Sequence, residues 1–164
     1  MPKRTAVLSV AIATILLASA GCSRAPGKLN PCDLIPLSEA QSVDAAIAKT
    51  QAYPPQKGEE LCVYADQGGE PRLMLFIWRD KKSDPYAVVR AGMKSASDRV
   101  VPVLGVGSSA AAGFSAADGD VLKLFAAESK GAMIGLRVRD PVKEGDDKYN
   151  KVRALAASAV GRVK

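Results

Sequence analysis

The side chains that could carry chemistry in this 164-residue chain are three cysteines, Cys22, Cys32 and Cys62, a run Gly105-Val106-Gly107-Ser108-Ser109, and a few clusters of acids. There is no histidine. Its absence removes Ser-His-acid and Cys-His catalysis and every metal site that needs an imidazole. The glycine run is too short and wrongly ordered for a P-loop or dinucleotide fingerprint, and it lacks the Gly-x-Ser-x-Gly pattern that exposes a nucleophilic serine. It reads as a turn before a strand, with anion contact through backbone amides as the alternative. Glu144, Asp146 and Asp147 lack the spacing of a calcium loop and read as capping, solvated acids, and Asp118 and Asp120 flank Gly119 as turn formers. Hydrolysis by carboxylates alone needs two acids about 5–10 Å apart across a cleft, and the sequence gives Asp66, Asp98 and Asp140 no such partner. The expectation is a protein that is not an enzyme and uses no cofactor and no metal.

The cysteines take their meaning from what precedes them. Met1-Pro-Lys-Arg4 is a short positive region, and Ala6 to Ala20 is an uncharged run of small and apolar residues, the layout of a secretion signal. The run is about 15 residues long, near the lower limit for a spanning helix. Leu17-Ala18-Ser19-Ala20-Gly21-Cys22 resembles the bacterial lipobox, in which the cysteine is lipidated and becomes the first residue of the mature chain. Ser19 stands where that pattern usually has leucine. The expected layout is a signal peptide over 1–21, a lipidated Cys22 with a short tether over 22–36, and one domain over 37–164. If Cys22 carries diacylglycerol and palmitate, Cys32 and Cys62 remain as an even pair. Their disulfide would close a loop of roughly 30 residues, on the order of 3 kcal/mol of stabilisation in the loop-closure model; two separate buried thiols are the alternative. Loss of Lys3 and Arg4 with the signal lowers the formal charge from +6 to +4. The remaining cations are dispersed among acids, so nucleic acid is not an expected partner.

The elements that must position these residues can be read from periodicity. Leu37 to Lys49 reads as a helix capped by Ser38 with Gln41 completing a capping box, and Ala40, Val43 and Ile47 on one face. Pro54-Pro55 and Lys57-Gly58 read as a loop over 50–60. Leu61 to Ala65 and the apolar run Arg72 to Arg79 read as a hairpin, the second strand central and covered. Asp84 and Pro85 open a second helix along Tyr86, Val89, Met93, Ala96 and Val100, stopped by Pro102, with Gly92 expected at a close packing contact or an irregular turn. Ala111 to Ala116, Val121 to Glu128 and Met133 to Arg139 read as strands separated by turns. Asp146-Asp147 opens a last helix striped with Tyr149, Val152, Ala156, Ala159 and Val163. The fold class is α+β, a mostly antiparallel sheet covered by helices in the order α-β-β-α-β-β-β-α.

A binding surface has candidates among the aromatic and basic residues of the strands. Trp78 beside Arg79 ends one strand and can either bind or complete the core. Alternation puts Phe125 with Val121 and Lys123, opposite Leu122 and Leu124. Left uncovered near Arg137 and Arg139, that face would suit a protein partner.

Asn30-Pro31-Cys32-Asp33-Leu34-Ile35-Pro36-Leu37-Ser38-Glu39-Ala40, Cys62-Val63-Tyr64 and Val103-Leu104-Gly105-Val106-Gly107-Ser108-Ser109-Ala110-Ala111 resemble the motifs of the DUF3558-type family of small bacterial envelope lipoproteins. Val106, Ser108 and Ser109 depart from that family's glycine segment. The resemblance implies a Mog1/PsbP-like or similar α+β fold and the Cys32 to Cys62 disulfide, and no reaction. The function expected is therefore a noncatalytic envelope lipoprotein, held to the membrane by its N-terminal lipid and binding a protein or envelope component. Ser23 after the lipobox cysteine resembles outer-membrane sorting, facing the periplasm, in a Gram-negative host. Alternatives are an immunity or inhibitor lipoprotein against a toxin or periplasmic enzyme, a carrier of small hydrophobic molecules, and a carboxylate-dependent hydrolase.

Overall fold

The computed structural model describes residues 30–79, 84–97 and 99–163. The expected signal peptide, Cys22 and the first part of the tether lie outside the described residues, as does Asp98. Among the described residues no helix is long and apolar enough to cross a membrane.

A 3-10 turn (Pro31–Asp33) and helix α1 (Leu37–Val43) lead into β1 (Lys49–Gln56), β2 (Glu59–Ala65) and β3 (Pro71–Arg79). Helix α2 (Pro85–Ala96) is followed by β4 (Arg99–Pro102), β5 (Ser109–Ser115), β6 (Val121–Ser129), β7 (Ala132–Val138) and α3 (Asp147–Arg162). The seven strands form one sheet in the order β1-β2-β3-β7-β6-β5-β4, every neighbouring pair antiparallel. Two meanders thus meet at β3 and β7, with Leu75 opposite Leu136 and Ile77 opposite Ile134. The α+β class and antiparallel sheet are as the sequence reads; the element order gains two strands.

Both added strands are edges. In β1 every residue is exposed, and the ladder to β2 skips between Tyr53 and Gln56, where Pro54 and Pro55 sit without an N–H to donate. At an edge that loss is tolerated, and it also blunts pairing with a further strand. Lys57 and Gly58, both at positive φ, make the two-residue connection to β2 whose twist suits a hairpin; Lys130 and Gly131 do the same between β6 and β7. β4 takes the residues expected to end the second helix. That helix stops at Ala96, and Val100 reaches the apolar cluster of Tyr86, Met93, Ala111, Ala126 and Met133 from a strand instead. The β-branched Val100-Val101 pair and Pro102 favour this edge conformation. Asp84 caps α2, its carboxylate accepting from the Ala87 N–H. A Cβ at Gly92 would meet open space, so the close contact expected there is absent.

Helix α1 is also shorter than its periodicity suggests. Pro36, not Ser38, occupies its cap, and the Gln41 amide donates to the Ile47 carbonyl beyond the helix end at 2.9 Å. Asp44 leaves the helical region, and its carboxylate accepts from the Ala46 N–H. Ile47 still reaches the core, from the link to β1.

One sheet face is covered over its central strands. Leu73, Leu75, Ile77, Ile134, Leu136, Phe125 and Phe114 pack there under the 3-10 turn, α1 and α3, together with Tyr149, Val152, Ala156 and Ala159 of the α3 stripe. Burying each large aliphatic side chain is worth about 1.5–3 kcal/mol. The Tyr64 hydroxyl, wholly buried, donates to the Ile35 carbonyl at 2.7 Å, and burial raises its pKa far above the ordinary value. Arg162 of α3 donates to the Leu34 carbonyl and holds both carboxylate oxygens of Glu39 on α1. Helix α2 lies on the opposite face, across β4, β5, β6 and β7.

Two outcomes test these contacts. At Gly107, φ is +61° and a Cβ would fall 2.0 Å from the Glu128 carbonyl oxygen; at Gly119, φ is +79° with nothing within 4 Å. Gly107→Ala is expected to lose about 2–3 kcal/mol or more in urea unfolding, Gly119→Ala only about 1 kcal/mol. Equal losses would refute the close approach. The Arg162 hydrogen bond, outweighing burial and aided by Ser158, holds the Glu39 pKa below its ordinary value of 4.5. The stability this pair contributes is full above about pH 4.5 and is lost as pH falls through the lowered value. Glu39→Gln should flatten the melting-temperature profile below pH 4.5, and an unchanged acid limb would show that the pair contributes nothing.

Candidate functional site

Among the described residues, the groups singled out for chemistry are held in structural roles. Asn30 accepts from the Cys32 N–H and Pro31 starts the 3-10 turn, which sets Cys32 against Cys62 in the middle of β2. The two sulfurs are bonded, with Cα atoms 5.2 Å apart, and Cys62 is completely buried. In the glycine run, the Ser108 N–H and hydroxyl both donate to the Glu128 carbonyl, and Arg153 donates to the Leu104 carbonyl. Gly107 seats this loop against β6.

The acids are likewise engaged. Arg99 lies over the Phe114 ring at 4.6 Å and bridges Asp120 and Glu144 at 2.6 and 2.5 Å. Asp118 pairs with Lys123, Asp147 with Lys151, and Asp146 accepts from the Lys143 N–H. Asp66 accepts from Glu70 N–H within its turn. Asp140 shares Arg72 with Asp44 and also pairs with Lys148. Burial pushes the Asp44 pKa up, but hydrogen bonds from Arg72 and the Ala46 N–H and the nearby cations outweigh it, leaving the carboxylate below its ordinary range. Among the described residues, no three or more Cys, Asp or Glu side chains are grouped to hold a metal ion.

What remains is a half-covered face. Beside α2 the sheet presents Met74, Phe76 and Trp78 of β3, Met133, Gly135 and Arg137 of β7, and Leu124 of β6. Two open hollows lie there. One of about 190 Å³ is lined by Phe76, Trp78, Val89, Leu124, Met133 and Gly135, and by the acid Glu59. The other, about 560 Å³, is lined by apolar Met74, Ala96, Val121 and Leu122 and by the cations Lys123, Arg137 and Arg139. Arg137 borders both. Its guanidinium lies 5.8 Å from the Phe76 ring centre, and among the described residues it has no carboxylate partner.

Of the residues nominated from sequence, Trp78, Arg137 and Arg139 therefore share this face. Arg79 and Phe125 do not. Arg79 follows Trp78 on an extended strand and projects to the other side, opposite Ala132 of the main core and 4.0 Å from Glu60. Phe125 has no exposed surface. The β5–β6 register jumps from Gly113↔Leu124 to Phe114↔Leu122, a bulge at Lys123. It shifts the alternation by one, so Phe125 faces the main core with Leu122 instead of opposing it. Leu124, Met133, Gly135 and Val89 are lining residues that sequence reading passed over; a glycine in the middle of the otherwise apolar β7 was the available signal.

Replacing Arg72 separates structural from catalytic use of the acids. Arg72→Ala leaves Asp44 and Asp140 without their shared cation and is expected to lower stability by about 1–3 kcal/mol in urea; an unchanged midpoint would show that the network is not structural. Comparison with known protein families, curated proteins and solved structures finds nothing that matches this chain.

Proposed function

We propose that this chain is a noncatalytic, lipid-anchored envelope protein whose domain binds a protein or envelope component through the half-covered sheet face. The observation that carries the binding reading is that face: half-buried Met74, Phe76 and Trp78 beside Arg137, which has no carboxylate partner among the described residues, between α2 and the strands. Side chains of this kind, apolar with a rim of cations, mark interaction surfaces. The Cys32–Cys62 bond supports export, because disulfides persist in oxidising compartments, and it leaves Cys22 as the third cysteine for the lipid. A short tether then keeps the domain near the bilayer. The DUF3558-type membership and the Mog1/PsbP-like form of the sheet belong to the same proposal. A carrier role for a small hydrophobic molecule is the second reading, favoured by the two adjoining hollows.

Intact-mass analysis of the membrane fraction from a bacterial host tests the anchor. The expected species begins at Cys22 with a diacylglyceryl modification, and Cys22→Ser moves the protein out of that fraction. An unmodified Cys22 would overturn the lipoprotein reading.

A further inference from the structure

We propose that the cleft between α2 and strands β3, β7 and β6 is a binding site for an anionic amphiphile, a molecule with one carboxylate head and a short acyl chain. Arg137 holds the head, and Phe76, Trp78, Leu124 and Met133 enclose the chain. This rests on the binding role proposed for the face and gives it a ligand class.

Three observations point to that chemistry. Apart from Glu59 and Arg137 the smaller hollow is lined by Phe76, Trp78, Val89, Leu124, Met133 and Gly135, so between those two charges it offers mainly apolar burial. A Cβ at Gly135 would touch Leu124 Cδ1 at 3.4 Å and Phe76 Cβ at 3.7 Å, so the missing side chain is what leaves room there. The second observation is the distribution of charge. The larger hollow gathers Lys123, Arg137 and Arg139, with Glu70 as its acid. Lys123 is matched by Asp118 and Arg139 by Glu70, which leaves Arg137 as the cation without a carboxylate partner among the described residues; Glu59, the acid of the smaller hollow, is in register with Trp78, four residues along β3 from the Met74 that Arg137 opposes. The third is position. Arg137 stands where the hollows meet, its guanidinium steered by the Phe76 ring, so a head held by its planar fork directs a chain into the apolar side. Together the hollows have the size usual for a small-molecule site, about 300–1,000 Å³. A single cation without a carboxylate partner among the described residues matches a monoanion and gives no reason to bind a polyanion.

Trp78 lines the smaller hollow and is the chain's one tryptophan, so its emission reports occupancy directly. The probe is octanoate, with octanol and acetate as the uncharged and chainless controls, added to the full chain with its disulfide intact in phosphatidylcholine vesicles. Octanoate is expected to shift Trp78 emission saturably, with octanol and acetate each at least about tenfold weaker. Arg137→Gln should weaken octanoate by about tenfold, the loss of one charge-assisted hydrogen-bonded contact, while leaving octanol unchanged. Gly135→Leu should abolish both by filling the floor. Arg137 is exposed and has no ion-pair partner among the described residues, so its variant keeps the fold even where Gly135→Leu does not. No saturable shift with octanoate, equal binding of octanol, or an Arg137→Gln variant that binds as tightly as the parent would each overturn the proposal. A lipidated Cys22 in a chain that ignores octanoate would sink this inference alone, and octanoate binding by a chain whose Cys22 stays unmodified in the bacterial host would sink the anchor alone.

Discussion

The pairing of β3 with β7 is the contact on which the molecule depends, because it makes one sheet of two meanders that are far apart in sequence. Seven residues of each strand are in register, from Leu73 opposite Val138 to Arg79 opposite Ala132. Local hairpins form the rest of the sheet at little loop-closure cost, whereas this seam must close over α2 and three further strands. Its reward is burial on both faces. Leu73, Leu75 and Ile77 meet Ile134, Leu136 and Val138 beneath α3, and Phe76 and Trp78 meet Gly135 and Met133 on the side of α2.

The two faces are finished differently. On the α3 side, the segment before β1 is tied down at several points: the Cys32–Cys62 bond, the Tyr64 hydroxyl on the Ile35 carbonyl, and Arg162 on the Leu34 carbonyl and Glu39. The hydrogen-bonded ties also satisfy polar groups that the covering layer would otherwise bury unpaired. On the other side one helix covers four strands, and a Cβ at Gly113 would come within 2.6 Å of Ser97 Oγ, which shows how closely the end of α2 is drawn onto β5. The hollows remain beside α2, where the strands outrun their cover.

Charge follows the same division. Arg72, Arg99, Arg139 and Arg162 are each matched by one or two carboxylates that join separate elements. The acids that could be suspected of catalysis are held by these cations or by turns, as Asp44, Asp66, Asp120, Asp140 and Glu144 show. Arg137 stands apart from this pattern, over an aromatic ring at the junction of two hollows. Its position, rather than its type, distinguishes it.

Local chemistry made much of the chain legible from sequence alone. Asp84-Pro85 starts α2, the alanine-rich stripe buries α3, and the turns after Ala65, Ser115 and Ser129 bound strands of the expected kind, because caps, periodicity and turn residues act within a few positions. Cysteine arithmetic reached the disulfide by the same economy. Other features needed the neighbours. Pro54-Pro55 reads as a loop until β1 is seen to be an edge with nothing to donate to on its far side, and Val100 reads as helical until β4 finds β5. The bulge at Lys123 turns Phe125 inward, because strand alternation holds only while the register is unbroken. Trp78 and Arg79 are adjacent in sequence yet lie on opposite faces, while Trp78 and Arg137, some sixty residues apart, line one hollow. Sequence determines which residues suit an element; the face that each presents, and what stands beside it, is decided by how the strands are registered and which helix covers them.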